Sequence, residues 1–398
     1  MKGAPVAHAD VLGADDRPLF FPVANSDALG LSPPPLRHGT ALRTWVRSLS
    51  VMQKEALVVS GATGRTWRLA SDEGPYLAGF DVGPCPLSFM TTGMVASYMN
   101  QITAFARNDG VEIRKLRLTL DNYYTMEGSA LRGTMTGGAK PPELGVELET
   151  DAGTEAIHEL VNRAIAASPI RGLLGGVTNS LFTLSSNGSE IPVGRVAELG
   201  SGAVDDPGER FAHVQVSPDP VAGELIAKLK PAEEVEGAGG VNSSLAENQS
   251  RVLHVRGVCT LRADGVKEIV QNLFQPIGSE FRYLSDESHE MGGRGLAPDA
   301  ATYVSAGIGF CFMTQLGRYA KIVKRDLSAY RIVQDTHFTA DGLVDGMGAA
   351  DPVETHVFLE TEEGDDFARE VLDMSEQTCF LHALCRTNLE PVVRVTAN

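Results

Sequence analysis

The chain has 398 residues, 43% hydrophobic and 21% charged, with 34 Lys and Arg against 51 Asp and Glu, a formal net charge of -17. That length suggests two or three domains, and the acidic balance argues against nucleic-acid or anionic-membrane partners. The amino-terminal stretch MKGAPVAHADVLGADD lacks the apolar core of a signal peptide, and no run of 18 apolar residues could span a bilayer. Five cysteines, widely spaced except for Cys379 and Cys385, do not resemble a secreted disulfide framework, so the expected location is cytoplasmic.

Residues 1–40, rich in Pro, Gly and Asp, have no sustained period and read as an extension, carried to residue 45 in the domain division. Strands are predicted at Ala56–Ser60, Thr66–Ser71 and Tyr76–Val82, then a helix from Pro86 to Asn108 that stops before Gly110. Further strands are expected at Ile113–Thr125 and Gly145–Thr150, then a helix at Thr154–Ala167, a loop from Pro169 to Gly176 and a strand at Ser180–Ser185. Asn187–Ser250 is rich in Gly, Pro, Ser and acidic residues, with GAGG at Gly237–Gly240, and reads as a linker with one amphipathic piece at Val221–Leu229. The second half is predicted to carry strands at Arg251–Arg262 and Glu280–Ser285, then a helix starting near Pro298. Strands at Ala329–Thr339 and Glu354–Glu360, a helix at Asp365–Ser375 and a strand at Glu390–Thr396 complete it. In the Pro298–Val323 segment, Val304, Ile308, Phe312, Leu316, Tyr319 and Val323 mark one helix face. The other faces are apolar or small, which predicts a helix buried nearly all round with Asp299 as N-cap.

The order of elements repeats. Sliding the chain by 214 residues aligns Arg68 with Arg282, Ser71-Asp72-Glu73 with Ser285-Asp286-Glu287, and Gly93 with Gly307. Thirteen of the 58 positions from Arg68 to Thr125 are identical, against roughly one in sixteen by chance. The expected architecture is therefore two tandem units, 46–190 and 251–398, joined by a linker at 191–250.

The repeat bears on the cysteines. Cys311 aligns with Ser97, and Cys379, allowing a three-residue gap, aligns with Ser168. Both cysteines are thus serine in the same copy, which points to a redox pair in the second unit. A buried cysteine needs a cation to hold its thiolate, and the matched strand arginines Arg68 and Arg282 are the candidates. An oxidised Cys311 would condense with a second thiol, and Cys379 fits if its Cα lies within about 7 Å. Cys385 is an alternative partner.

These segments resemble the OsmC/Ohr family of thiol-dependent hydroperoxide reductases. GPCPLSFMTTGMVASYMNQI at Gly83–Ile102 looks like the opening of the family's central helix, with Ser97 at its peroxidatic position; SAGIGFCFMTQL places Cys311 there in the second unit. TCFLHALCRTNLEPV at Thr378–Val392 looks like the family's terminal segment, with Cys379 as resolving cysteine. The resemblance covers about 46–190 and 251–398. It implies an α+β fold of two OsmC-like domains interlocked as a pseudo-dimer within one chain, reducing organic hydroperoxides and reset by a lipoyl-type or other dithiol. Its catalytic arginine is matched by Arg282, or by Arg68 from the partner unit. One departure stands: the glutamate that the family places ten residues before the cysteine is Ala301 here, and Leu87 in the first unit. The competing reading is a non-enzymatic protein that binds an apolar ligand or senses redox state.

Other features carry less. Cys85 and Cys259 read as packing residues, His382 as loop polarity, His337 as strand packing, and Asp286–His289 as a solvated turn. No zinc-ligand or nucleotide-loop spacing occurs, so no metal or cofactor is expected.

Overall fold

The computed structural model describes residues 9–50, 52–201, 204–232, 244–339 and 346–398. The segment Gly237–Gly240 lies outside them. The described α-helices are α1 (Pro86–Asn108), α2 (Thr154–Ala167), α3 (Pro169–Gly175), α4 (Ala300–Val323), α5 (Asp365–Thr378) and α6 (Phe380–Arg386). Helices α1 and α4 pack against each other between two sheets, α4 against the first sheet and α1 against the second. Their approach is close because both carry glycine at the crossing. A Cβ on Gly93 would lie 2.7 Å from the Ala300 carbonyl oxygen, and one on Gly307 would lie 2.8 Å from the Met90 nitrogen. Helix α4 is buried on every face, as its sequence predicts, and the Asp299 side chain accepts a hydrogen bond from the Thr302 N–H. The fold is α+β.

Each sheet takes strands from both halves of the chain. In the first, Thr66–Ser71, Gln53–Ser60 and Thr40–Ser50 pair in that order, followed by Ala329–Phe338 and Glu354–Glu360, then Leu181–Ser186. In the second, the order is Glu280–Ser285, Lys267–Gln275, Asn248–Leu261, then Ile113–Ser129 and Glu143–Thr150, then Val392–Ala397. The central seams join Thr40–Ser50 to Ala329–Phe338 and Asn248–Leu261 to Ile113–Ser129, both antiparallel. Leu181–Ser186 pairs in parallel with Glu354–Glu360, and Val392–Ala397 with Glu143–Thr150. No described helix is long and apolar enough to cross a membrane.

Several expectations change. Strand Thr40–Ser50 starts inside the stretch read as an extension, and strand Lys267–Gln275 was not foreseen. Leu12, Phe21 and Leu31 of that stretch are buried, and Phe211 and Val214 of the linker join Phe21, Trp45, Leu57 and Val333 in an apolar cluster. These coverings bury Gln53–Ser60 along its whole length, erasing the inside–outside alternation that marks a half-buried strand. The amphipathic piece of the linker forms strand Ile226–Lys230 on the edge of the second sheet.

Tyr76–Val82 is not a strand. Asp72 accepts from the N–H groups of Glu73, Phe80 and Val82, and Ala78 and Asp81 adopt positive φ, so a turn satisfies this backbone. Pro169–Gly175 is helical rather than a loop, because Ser168 caps the Ile170 N–H and Pro169 supplies the first helical position. In the Asp286–His289 run, read as a solvated turn, Asp286 and Ser288 are buried while His289 is exposed, and Asp286 accepts from the Arg294 and Leu296 N–H groups.

Candidate functional site

Helix α5 ends at Thr378, and Cys379 takes an extended conformation (φ -70°, ψ 119°) before α6 begins. This break turns the Cys379 side chain toward the middle of α4. Its Sγ lies 3.6 Å from Cys311 Sγ, and both cysteines are buried. A disulfide requires about 2.05 Å, so a shift of about 1.5 Å would close the bond.

Beside Cys311 is a cavity of about 30 Å³, room for about two waters or the two oxygens of a peroxide. Cys311, Thr314, Gln315 and Arg318 line it from α4. Their spacing of three, four and seven residues places them on one helix face. Arg251 enters from the strand Asn248–Leu261, Glu73 from the turn after Thr66–Ser71, and Cys85 from the start of α1. Most of the remaining wall is apolar, including Leu87, Leu253 and Phe380, with Ser244 and Tyr76 adding polar groups.

The polar groups are held in place. Arg318 donates from Nε to the Ser244 carbonyl oxygen at 2.8 Å and from Nη1 to Gln315 Oε1 at 3.2 Å. Arg251 donates to Ser244 Oγ, and its Nε has no partner. Glu73 accepts from Thr314 Oγ1 and from the Tyr76 hydroxyl, each at 2.9 Å. Burial lowers Arg318 to about 9 and Arg251 to about 10, so both remain cationic at neutral pH. Burial raises the Glu73 carboxyl, opposed chiefly by the nearby Lys54 charge.

Cys311 is pushed well above the ordinary thiol range, first by burial and then by its contact with Cys379. The resting group at neutral pH is therefore the thiol. A bound anionic oxygen would share a small buried cavity with two guanidinium groups, where hydrogen-bonded charge is strong.

Arg68 and Arg282 do not face Cys311. Arg68 is buried against Glu55, to which its Nε donates at 2.9 Å, and against the Pro18 and Leu19 carbonyl oxygens. Arg282 bonds the Glu224 carbonyl oxygen and lies 3.8 Å from Glu268. Neither lines the cavity. Arginine and glutamate are present there, but as Arg318, Arg251 and Glu73. The sequence held signals for two of them: Arg318 lies two turns beyond Cys311 on the same helix, and Glu73 belongs to the matched Ser-Asp-Glu triplets. Arg251 had no such signal.

The remaining candidates separate clearly. Cys85, read as packing, borders the same cavity and is pushed to about 11 by burial. Cys385 lies buried on α6 and is pushed to about 12. Cys259 is buried in a strand. His382 is not surface polarity: it is 1% exposed, with both ring nitrogens unpartnered, between the rings of Phe182 and Phe312. His337 is buried in its strand, its Nε2 3.3 Å from the Pro35 carbonyl oxygen.

The two serines at the positions matched to the cysteines also meet. Ser97 Oγ and Ser168 Oγ are 2.9 Å apart, beside a second cavity to which Ser97 contributes. Among the described residues, no three or more His, Cys, Asp or Glu side chains converge as metal ligands.

No protein-family model and no curated protein matches the chain. Among solved structures, an OsmC-like hydroperoxide resistance protein from Jannaschia sp. CCS1 aligns with 32% of this chain and 81% of its own. The two are 22% identical over that region, with a TM-score of 0.20.

Proposed function

We propose that the protein reduces organic hydroperoxides through the Cys311–Cys379 pair. The observation that carries this reading is the 3.6 Å separation of two buried sulfurs beside a cavity lined by the buried Arg318 and the half-buried Arg251. The small fraction of Cys311 that has ionised to thiolate attacks the distal peroxide oxygen; an S–O bond forms as the O–O bond breaks. The leaving alkoxide takes up the proton that the thiol released and departs as the alcohol, leaving Cys311 as a sulfenic acid. Arg318 and Arg251 stabilise the charge that develops on the leaving oxygen. Cys379 sulfur then attacks Cys311 sulfur, and the displaced hydroxide leaves as water with the Cys379 proton. A dithiol of the lipoyl type restores both thiols and becomes a disulfide itself. The apolar wall of the cavity favours an organic peroxide over hydrogen peroxide.

The finer architecture we infer is a tandem duplication folded as a pseudo-dimer, with units at 46–190 and 251–398. The matched strand orders of the two sheets support it. So do the turns that follow Thr66–Ser71 and Glu280–Ser285. Asp72 holds Phe80 and Val82 N–H groups at 3.2 and 3.1 Å, while Asp286 holds Arg294 and Leu296 at 3.1 and 3.0 Å. Each pair is separated by the same 214 residues as the sequence repeat.

The test is turnover of cumene hydroperoxide with dihydrolipoate as reductant. Wild type should turn over, Cys311→Ser should be inactive, and Cys379→Ser should consume one equivalent and stop. Full turnover by Cys311→Ser would remove the mechanism. A second reading, a slow redox sensor, is favoured by the burial that keeps Cys311 protonated. It predicts one oxidation per chain with no dithiol-driven turnover in wild type.

A further inference from the structure

The second cavity, about 80 Å³, lies beside Ser97 and is separate from the Cys311 cavity. Its polar side is unbalanced. Gln101 is 3% exposed and Thr40 9% exposed; both line the cavity, and Gln101 Oε1 and Thr40 Oγ1 have no hydrogen-bond partner. Buried polar atoms are rarely left in this state, because each forfeits its hydration. Two carboxylates border the same space, and they differ. Glu287 accepts from Asn100 Nδ2 at 2.7 Å and lies 3.7 Å from Lys267 Nζ. Asp299 accepts from the Thr302 N–H and the Ser60 hydroxyl, but among the described residues no cation pairs with it. Burial, then the Glu287 charge, raises its carboxyl to about 6, the direction expected of a carboxylate without a counter-ion.

Much of the remaining lining is apolar, including Pro169, Ile170, Val304 and Phe338. The cavity therefore combines hydrogen-bond acceptors and one carboxylate without a paired cation with a largely hydrocarbon lining. We propose that it is a binding site for a small primary ammonium ion with a short alkyl chain. Such a group has three N–H donors for Gln101 Oε1, Thr40 Oγ1 and the Asp299 carboxylate, and a tail of a few carbons suits the volume. A carboxylate ligand would be repelled by Asp299, and an alcohol would leave acceptors unfilled. This site does not depend on the Cys311 chemistry.

The test is calorimetric titration of the full reduced chain with n-propylammonium chloride at fixed ionic strength and pH 7.5. One saturable site is expected, with 1-propanol and propionate at least tenfold weaker. Gln101→Leu, Thr40→Val and Asp299→Asn should each weaken propylammonium at least fivefold; Asn at 299 keeps a helix-capping oxygen, and Val at 40 keeps the strand shape. Tetraethylammonium, too large for the cavity, should not compete. The proposal is overturned if propylammonium does not saturate, if propionate binds equally well, or if tetraethylammonium displaces it as expected for an acidic surface. It is also overturned if the folded variants bind like wild type.

Discussion

Replacing His382 with leucine should stabilise the protein, increasingly so as the pH falls. The imidazole is enclosed between Phe182 and Phe312, its ring centroid 5.7 Å and 5.0 Å from theirs, and neither nitrogen has a partner. Burial lowers its pKa to about 3 from an ordinary 6.5. Between these values the unfolded chain binds a proton that the folded chain refuses, so stability falls as the pH drops below 6.5. At pH 5 the cost is about 1.4 kcal/mol for each of the 1.5 pH units below 6.5, or about 2 kcal/mol. This figure is insensitive to the folded value so long as it lies well below 5. Leucine has similar volume and no polar atoms to bury, so the variant should gain at pH 7.5 from the loss of unpaired nitrogens, about 1 kcal/mol. Urea unfolding of both proteins at pH 7.5 and pH 5 measures the difference. The Leu variant's advantage should grow by about 2 kcal/mol on acidification. An advantage that is the same at both pH values would refute the account of a buried, unpaired imidazole. Buried carboxyls such as Asp299 titrate in both proteins and cancel in the comparison.

Other outcomes follow from the same geometry. Arg318→Met should slow peroxide reduction by about 10²-fold or more, as expected for loss of a charged donor to developing oxyanion charge, whereas Arg282→Met should leave it unchanged; stopped-flow peroxide consumption separates them. The wild-type rate should climb from pH 6 through pH 9 without a plateau, because burial holds Cys311 above the ordinary thiol range; a plateau near pH 6 would indicate a stabilised thiolate. The double variant Ser97→Cys with Ser168→Cys should form a disulfide on mild oxidation, since the hydroxyl oxygens are 2.9 Å apart, and peptide mapping would reveal it. Gly307→Ala should cost about 1–3 kcal/mol by pushing a methyl group against the Met90 backbone, read as a lower denaturation midpoint.

The helices were the most legible part of the sequence. Helix α1 and helix α2 match their expected bounds, because a 3.6-residue apolar period and clear stop signals are local properties. Thr66–Ser71 and Glu354–Glu360 were legible for a similar reason, each a compact β-prone run between turn residues. Strands Thr40–Ser50 and Lys267–Gln275 were not. The first is shielded on its outer side by residues far along the chain, such as Phe211, so its pattern reflects tertiary cover rather than its own edge. The short helix α3 was masked by its glycines, which outweighed the Ser168–Pro169 start signal. At the site, Cys311 and Cys379 were legible through their replacement by serine at matched positions, and their sulfurs do meet. The arginine was not. A strand position cannot tell which way a long side chain runs, and Arg68 is engaged by Glu55 and the 18–19 backbone instead. The cavity residues come from six separated segments that only the tertiary packing brings together, which no local spacing encodes.

The most direct test of the redox pair is to treat the reduced protein with a slight excess of cumene hydroperoxide and map its disulfides by mass spectrometry. The account predicts a rapid Cys311–Cys379 bridge, with Cys85, Cys259 and Cys385 remaining as free thiols. If Cys311 and Cys379 both stay reduced while peroxide persists, or if the bridge joins Cys311 to another cysteine, the proposed pair is contradicted.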